Sequence, residues 1–396
     1  MGRLKTLEQW LAWQENLHSQ EIDLGLERIQ KVYRSLFPTG VDFKVITVAG
    51  TNGKGSTIAF IDSIYQQTNT KVARFTSPHI LQYNERFCIN GVQVSNAQIC
   101  TAFEQIEQAR DDTSLTYFEF STLAALIIFT NEKVAIAVLE IGLGGRLDSV
   151  NVVDSDVGVI TNIDIDHTDY LGTTRELIGR EKAGIMRGNI PCVCADLSPP
   201  NSVIQYAEKI GALLTFIDTP YSGAISLQGE HQKTNAALAI AAVNQLQSVF
   251  TVKQNQLARG IENAKLFARF QIKIINGKTL VLDVAHNPAA VQVLADVLNT
   301  DKQPTIAIFS ALNDKNIEAM INTIAPLIDE WLLVPLKVSR AIAMQDLSEK
   351  FSLSSKIKVY KDVSSAIYQA LNTKQAQRIV IFGSFHIVGD ALKVLE

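Results

Sequence analysis

The segment Gly50-Thr51-Asn52-Gly53-Lys54-Gly55-Ser56-Thr57 gathers glycines, a lysine and hydroxyls between a strand-like run and a helix-like run. Glycines let a backbone turn tightly and aim its N–H groups at an anion, and a following helix adds its positive end. Lys54 supplies neutralising charge, and Ser56 is placed to reach a phosphate or its Mg²⁺. A nucleoside triphosphate is the ligand this chemistry suits. The common phosphate loop, G-x-x-x-x-G-K-[ST], sets lysine directly before the hydroxyl residue, whereas here Gly55 separates Lys54 from Ser56. A glycine-rich turn alone also ends ordinary strands; the strand, lysine, hydroxyls and helix together favour the cradle.

Two further groups sit where strands should end. Glu140 opens Glu140-Ile141-Gly142-Leu143-Gly144-Gly145-Arg146-Leu147-Asp148, and His167 lies in Asp164-Ile165-Asp166-His167-Thr168-Asp169. Strand exits of an open parallel sheet share one edge, so both side chains could converge on a metal carried by the triphosphate. Oxygen donors suit Mg²⁺, with histidine an unusual additional ligand. The alternative is that Glu140 pairs with Arg146 and His167 caps a turn. Lys182, in Gly179-Arg180-Glu181-Lys182-Ala183-Gly184-Ile185, would be repelled by such a cation unless it is an ion-pair partner or is converted by CO₂ to a carbamate, which reverses its charge. Most helical lysines are solvated surface charges.

The elements that must position these groups alternate. Strand Lys44–Ala49 precedes the loop. It is followed by a helix over Ile58–Gln66, a strand over Val72–Phe75, helices near Ala97–Ala109 and Ser121–Phe129, strands over Val134–Ile141 and Val157–Thr161, a helix over Arg175–Met186, a strand over Pro191–Ala195 and a helix over Thr234–Gln247. Continuous apolar strands bounded by turns predict a parallel sheet buried on both faces, hence an α/β fold. A second series begins near Gln271, with strands over Thr279–Val284, Thr305–Phe309, Glu330–Val334 and Arg378–Phe382, helices over Ala289–Leu298 and Ile317–Ile324, and a terminal helix. The 396 residues suit two domains, and the boundary falls at Phe267–Phe270, giving 1–268 and 269–396.

With 47% hydrophobic and 19% charged residues the composition is globular, and a net charge of -4 gives no general attraction to nucleic acid or anionic lipid. Cys88, Cys100, Cys192 and Cys194 lack both C-x-x-C spacing and scaffold density, which predicts a reducing cytoplasm. Leu123–Phe129 is too short to span a bilayer, and no signal-peptide layout is present, so a soluble protein is expected. Met1-Gly2-Arg3-Leu4-Lys5-Thr6 matches a myristoylation pattern that recurs by chance; the residues after it predict an amphipathic helix around Trp10, Trp13 and Leu17.

The loop Gly50–Ser56, Thr76-Ser77-Pro78-His79, Leu139–Asp148, Asp166-His167-Thr168, Glu181-Lys182-Ala183-Gly184, Ala268-Arg269-Phe270-Gln271 and Asp283-Val284-Ala285-His286-Asn287-Pro288, in this order, resemble the folylpolyglutamate synthase family of the Mur ligase superfamily. The resemblance runs from about Asp23 to Phe385. It implies an N-terminal P-loop ATPase domain of Mur ligase type, a smaller C-terminal Rossmann-like domain, and an ATP-dependent ligase that adds L-glutamate to dihydropteroate and to folates. By position, Ser77, Glu140 and His167 match Mg²⁺ ligands, and Lys182 matches a lysine carbamylated in the family. Gly53, Lys54, Gly55, Ser56, Asn235, Arg269 and Asp283 match ATP contacts; Arg269 would reach phosphates, and Asp283 would accept ribose hydroxyls. His286 falls near the glutamate or phosphate end. Lys54, His167, Lys182 and Arg269 are the expected catalytic set.

Pterin contacts are implied at Asp23-Leu24-Gly25, Thr116-Tyr117-Phe118-Glu119 and Leu147-Asp148-Ser149. Phe118 could stack on a flat heterocycle while a carboxylate accepts its amino-pyrimidine N–H groups, although Phe118 alone would equally suit a core. Ser149 departs from the alanine frequent in the family, and Gly383-Ser384-Phe385-His386 resembles a family segment without an assigned role. A cytoplasmic monomer acting on small molecules is expected. The competing readings are a synthase limited to folates, another Mur-type ligase, and a P-loop regulatory NTPase; a second domain argues against the last.

Overall fold

The computed structural model describes residues 6–351 and 356–396. Gly2 and the rest of the myristoylation pattern up to Lys5 lie outside the described residues. The chain divides into two compact units. One comprises residues up to His79, Tyr83–Ser226 and Gln232–Lys265, and the other Ile80–Gln82, Leu227–His231 and Leu266–Glu396.

The first unit is built on strands β1 (Lys44–Ala49), β2 (Val72–Phe75), β3 (Phe87–Ile89), β4 (Val92–Gln93), β5 (Ile136–Glu140), β6 (Val157–Ile160), β7 (Pro191–Cys194) and β8 (Leu213–Phe216). Their order across the sheet is β4-β3-β2-β5-β1-β6-β7-β8. The neighbours β2, β5, β1, β6, β7 and β8 pair in parallel, with Val48 opposite Glu140 and Ala49 opposite Ile160, whereas β3 pairs antiparallel with both β2 and β4. Val45, Ile46, Val48 and Ala49 are buried, as a central strand covered on both faces requires. The chain leaves β1 for β2 on one side and later returns across β1 from β5 to β6. The exit of β1 is therefore the switch point at which open α/β sheets bind ligands.

Two helices start four residues earlier than the sequence expectation, and a third, expected from Thr234, starts at His231. The helix expected from Ile58 begins at Lys54, so Lys54, Gly55 and Ser56 form its first turn. The helix expected over Ser121–Phe129 runs Tyr117–Asn131, because Thr116 and Glu119 make a reciprocal capping box that sets the start ahead of the apolar run. The N-terminal helix spans Leu7–Gln14 and stops short of Leu17. Helix Glu27–Leu36 and the β3–β4 hairpin have no counterpart in the sequence expectation.

The second unit carries strands β9 (Gln271–Ile275), β10 (Lys278–Leu282), β11 (Thr305–Phe309), β12 (Glu330–Leu333), β13 (Ile357–Val359) and β14 (Arg378–Phe382), in the order β13-β12-β11-β14-β10-β9. The sheet is parallel except for β9, which pairs antiparallel with β10 through an Asn276-Gly277 turn of positive φ, 51° and 75°. Among the described residues no helix is long and apolar enough to cross a membrane.

Candidate functional site

At the exit of β1 the loop is fastened to the exit of β6. Thr51 N–H donates to Asn162 O at 2.9 Å, and Asn52 N–H to Asn162 Oδ1 at 2.8 Å. Gly53 has φ +87°, a left-handed conformation, and a Cβ there would lie 2.7 Å from Asn235 Oδ1. Asn235 is oriented by Nδ2–H donation to Gln232 Oε1 at 3.0 Å, so this predicted ATP contact stands directly against the loop. No side chain caps the helix that starts at Lys54. Its first amides and the positive end of its dipole face the loop. Lys54 Nζ reaches back to the carbonyls of Gly50 at 2.9 Å and Thr51 at 3.3 Å. Ser56 is buried in the same turn.

Glu140, the last residue of β5, is buried and accepts Ser77 N–H on Oε2 at 3.0 Å, which brings these two expected metal ligands together. The alternative pairing with Arg146 does not form: Arg146 binds Glu181 instead, at 2.8 Å through Nη2. His167 sits at the start of helix Thr168–Leu171 with φ 52° and makes no side-chain cap; its backbone N–H donates to Asp166 Oδ1 at 2.8 Å. Lys182 is buried, and its pKa is pushed down to about 7 by burial first and by Lys54 second, against the pull of Asp166 and Asp148. The Arg146 N–H bond to Glu181 O at 2.7 Å holds the Gly142–Asp148 loop against the end of the Lys182 helix. Among the described residues no three His, Cys, Asp or Glu side chains gather into a metal-binding group. A Mg²⁺ ion that keeps phosphate and water oxygens needs no more than one or two carboxylates. Glu140 and the Ser77 hydroxyl fit that donor set, and a bare ammonium at Lys182 does not.

The three predicted pterin segments converge in the first unit. Gly25 N–H donates to Leu147 O at 3.2 Å, and a Cβ on Gly142 would fall 2.6 Å from the Phe118 ring and 3.3 Å from Asp148 Oδ2. Phe118 is partly buried and stacks on Phe75, with ring centroids 5.8 Å apart at 25°. Asp148 is buried and accepts amides from Leu143 at 2.8 Å and Val150 at 3.0 Å. Burial raises its pKa to about 7 in spite of those amides and of Lys54. Ser149 bonds Thr122 at 2.7 Å, so its hydroxyl is accommodated where the family often has alanine. Glu119 is buried and its pKa is raised by burial, with the Thr116 amide and Arg28 opposing. Sequence reasoning missed Arg28 and His18, which bind Asp23 at 2.7 Å and 3.1 Å. Neither belongs to a motif; only an amphipathic reading of Glu27–Leu36 would have put Arg28 near the site.

In the second unit Arg269 lies between two non-glycine residues of positive φ, Ala268 at 57° and Phe270 at 47°. Its guanidinium covers the Phe385 ring at 5.3 Å, and the His286 ring approaches Phe385 at 5.7 Å. Asp283 spends both oxygens on backbone amides, Phe270 N–H at 2.8 Å and Ala285 N–H at 2.7 Å. It therefore fixes the Arg269 turn, and a ribose hydroxyl would have to share an oxygen. His286 Nδ1 lies 2.8 Å from Val284 O, which places the proton on that nitrogen. The Gly383–His386 segment gains a role here: Ser384 caps the terminal helix, accepting Ile387 N–H at 3.2 Å, and Phe385 floors Arg269.

Residues 48–193 match the Mur ligase middle domain, and residues 268–385 match the Mur ligase glutamate ligase domain. A parallel sheet with a phosphate loop at its switch point, joined to that second domain, defines a Mur-type ATP-dependent ligase. The chain is 36% identical to the dihydrofolate synthase/folylpolyglutamate synthase of Escherichia coli, over 98% of this chain and 96% of that protein. It is 35% identical to that of Haemophilus influenzae, over 98% of each. Among solved structures it resembles E. coli FolC in complex with DHPP and ADP (TM-score 0.92, 35% identity, 99% of this chain and 98% of that one). It also resembles a bifunctional folylpolyglutamate synthase/dihydrofolate synthase with Mn, AMPPNP and L-glutamate bound (TM-score 0.90, 36% identity, 99% and 98%). The chain belongs to the dihydrofolate synthase/folylpolyglutamate synthase family.

Proposed function

We propose that this chain joins L-glutamate to dihydropteroate, forming dihydrofolate, and extends folates by the same reaction. The observation that carries this reading is the convergence of Asp23–Gly25, Thr116–Glu119 and Leu147–Ser149 beside the loop that follows Glu140. The relatives with DHPP, ADP, AMPPNP and L-glutamate bound support it. Residues 1–268 would hold ATP and the pterin acid, and 269–396 would complete the ligase.

The substrate carboxylate attacks the γ-phosphate of ATP, giving an acyl phosphate and ADP. The neutral amine of glutamate then attacks the acyl carbon, and phosphate leaves as the amide forms. Crowded negative charge is the obstacle, so Lys54, Arg269 and the amides of Gly53–Ser56 act by position and electrostatics. Ser77, Glu140 and His167 would hold Mg²⁺, which supplies further neutralisation of the phosphates. Asn235 and Asp283 would take the nucleotide, and His286 the glutamate or phosphate end. Asp23 and Asp148 would read the pterin edge, with Glu119 behind them, Phe118 against its face and Leu24, Gly25, Thr116, Tyr117, Leu147 and Ser149 completing the walls.

Lys182 would carry a CO₂-derived carbamate. Its burial lowers its pKa to about 7, which favours the neutral amine that attacks CO₂, and the product gives hard oxygen donors of the right sign. A cytoplasmic monomer without nucleic-acid or membrane partners completes the reading, and the four free thiols are compatible with it.

ADP release tested with dihydropteroate and L-glutamate, together and singly, decides the reaction. Release that needs both, with dihydrofolate formed, is expected. Extension of pre-formed folates alone would favour a folate-restricted synthase, and release that needs neither would favour a regulatory NTPase.

A further inference from the structure

We propose that Arg28 is a positioning residue for pterin recognition: it ties Asp23 to the buried Glu119 wall so that Asp23 Oδ1 is held where an amino-pyrimidine edge is read. The inference rests on the pterin reading of this pocket and adds to it a residue that would not itself touch the reacting atoms.

Arg28 is the second residue of helix Glu27–Leu36 and spans two walls of the pocket. Nη1 lies 2.7 Å from Asp23 Oδ2, Nη2 donates to the Asp23 carbonyl at 2.7 Å, and the same Nη2 lies 3.4 Å from Glu119 Oε1. Glu119 is buried, and its other oxygen is taken by Thr116 N–H at 2.8 Å. Arg28 is thus the charged partner of an oxygen that has no hydrogen bond within the described residues. A planar guanidinium can address a carboxylate, a carbonyl and a second carboxylate at once, whereas a lysine ammonium is a single point charge on a flexible stem.

The far side of Asp23 is braced as well. His18 Nε2 lies 3.1 Å from Asp23 Oδ2, and His18 Nδ1 lies 2.8 Å from Ser114 Oγ, which donates to Leu17 O at 3.1 Å. Both side-chain contacts fall on Oδ2, leaving Oδ1 as the acceptor that this brace does not use. The backbone bond from Gly25 to Leu147 ties the same segment to the Asp148 loop. The strut therefore aims Asp23 with Oδ1 left for a ligand, and fastens it to the buried Glu119, whose two oxygens are taken up by Thr116 and Arg28.

Arg28→Met and Arg28→Lys would be compared with wild type by calorimetric titration of dihydropteroate onto ADP-loaded protein, by titration of ADP, by thermal melting, and by kinetics. Arg28→Met should weaken dihydropteroate binding about 10- to 100-fold, as loss of charge-assisted bonds implies. ADP affinity should be unchanged, KM for dihydropteroate should rise by a similar factor, and kcat should stay within about threefold. Arg28→Lys, which can keep the Asp23 contact, should fall between; if Arg28→Met does not fold, this variant carries the test alone. A lowered melting temperature with wild-type dihydropteroate affinity below it would make Arg28 merely structural and overturn the proposal. Equal losses for ADP and dihydropteroate would overturn it too. Wild-type protein that binds dihydropteroate but does not ligate it would sink only the proposed reaction; wild type that binds none would sink the pocket and Arg28 with it.

Discussion

The proposed phosphate end and the proposed pterin end of the site are built in opposite ways. At the phosphate end the groups hang on strand exits, the helix start is left uncapped, and Lys54 and Lys182 oppose one another. At the pterin end the helix start is closed by the Thr116–Glu119 box, and Arg28 sits between two carboxylates. One end would be electrostatically completed by what it binds; the other has two of its carboxylates braced beforehand by Arg28. In the proposed site, preorganisation thus falls where the neutral, flat pterin ring offers little charge of its own, and cationic potential falls where a polyanion arrives.

The sharpest way to break this contrast is Lys54→Ala. Turnover should fall about 10²-fold or more, because a placed charge is lost where transition-state charge gathers. Calorimetric affinity for dihydropteroate should remain within about twofold, since Lys54 stands at the other end. Parallel loss of both would show that the two ends are one network, with Asp148, which feels Lys54, as the coupling residue.

The next effect concerns Lys182. Lys182→Ala should cost about 10²-fold in rate and recover about tenfold of it when a small carboxylic acid enters the vacated space, while Lys182→Arg should stay inactive. Carbon-13 bicarbonate NMR of the active protein should show a carbamate carbon. A bare lysine at the active, Mg-ATP-loaded site would reduce the phosphate end to cations alone.

The smallest effect is a pH slope. In bicarbonate-free buffer without nucleotide, Lys182 binds its proton in the unfolded chain up to the ordinary value of 10.5, but in the folded chain only below about 7. The unfolded state holds the extra proton between those limits, so wild-type stability should rise with pH across that window and lose this contribution as pH falls towards about 7. Relative to Lys182→Met, the gain should reach at most about 1.4 kcal/mol per pH unit in urea titrations. A flat difference from pH 7 to 10 would mean that Lys182 keeps its charge when buried.

The same contrast explains what could be read in the chain. The positions of Gly50–Thr57 and Glu140 at strand exits were legible because a parallel sheet puts every strand exit on one edge, and apolar runs ending in glycine or acid mark those exits locally. The pterin end depends on a long-range pair, Arg28 with Glu119, for which no short pattern exists. Other gaps were readable. Thr116-x-x-Glu119 signals a helix start at Tyr117, and Asn276-Gly277 between apolar residues signals the β9–β10 hairpin. The pairing of Arg146 with Glu181 instead of Glu140 follows from how the loop packs on the Lys182 helix, and only tertiary structure decides that.

The Arg269 turn has a bearing on recombination between relatives. Ala268 and Phe270 both hold left-handed backbone, and what stabilises the second of them is the Asp283 side chain, on the far side of an entire hairpin. Residues 268–283 are therefore an indivisible cassette. A chimaera whose crossover falls inside it inherits the bend from one parent and its anchor from another, whereas a splice just before Leu266 or beyond the Asp283–Ala285 contact transplants the guanidinium together with its mount.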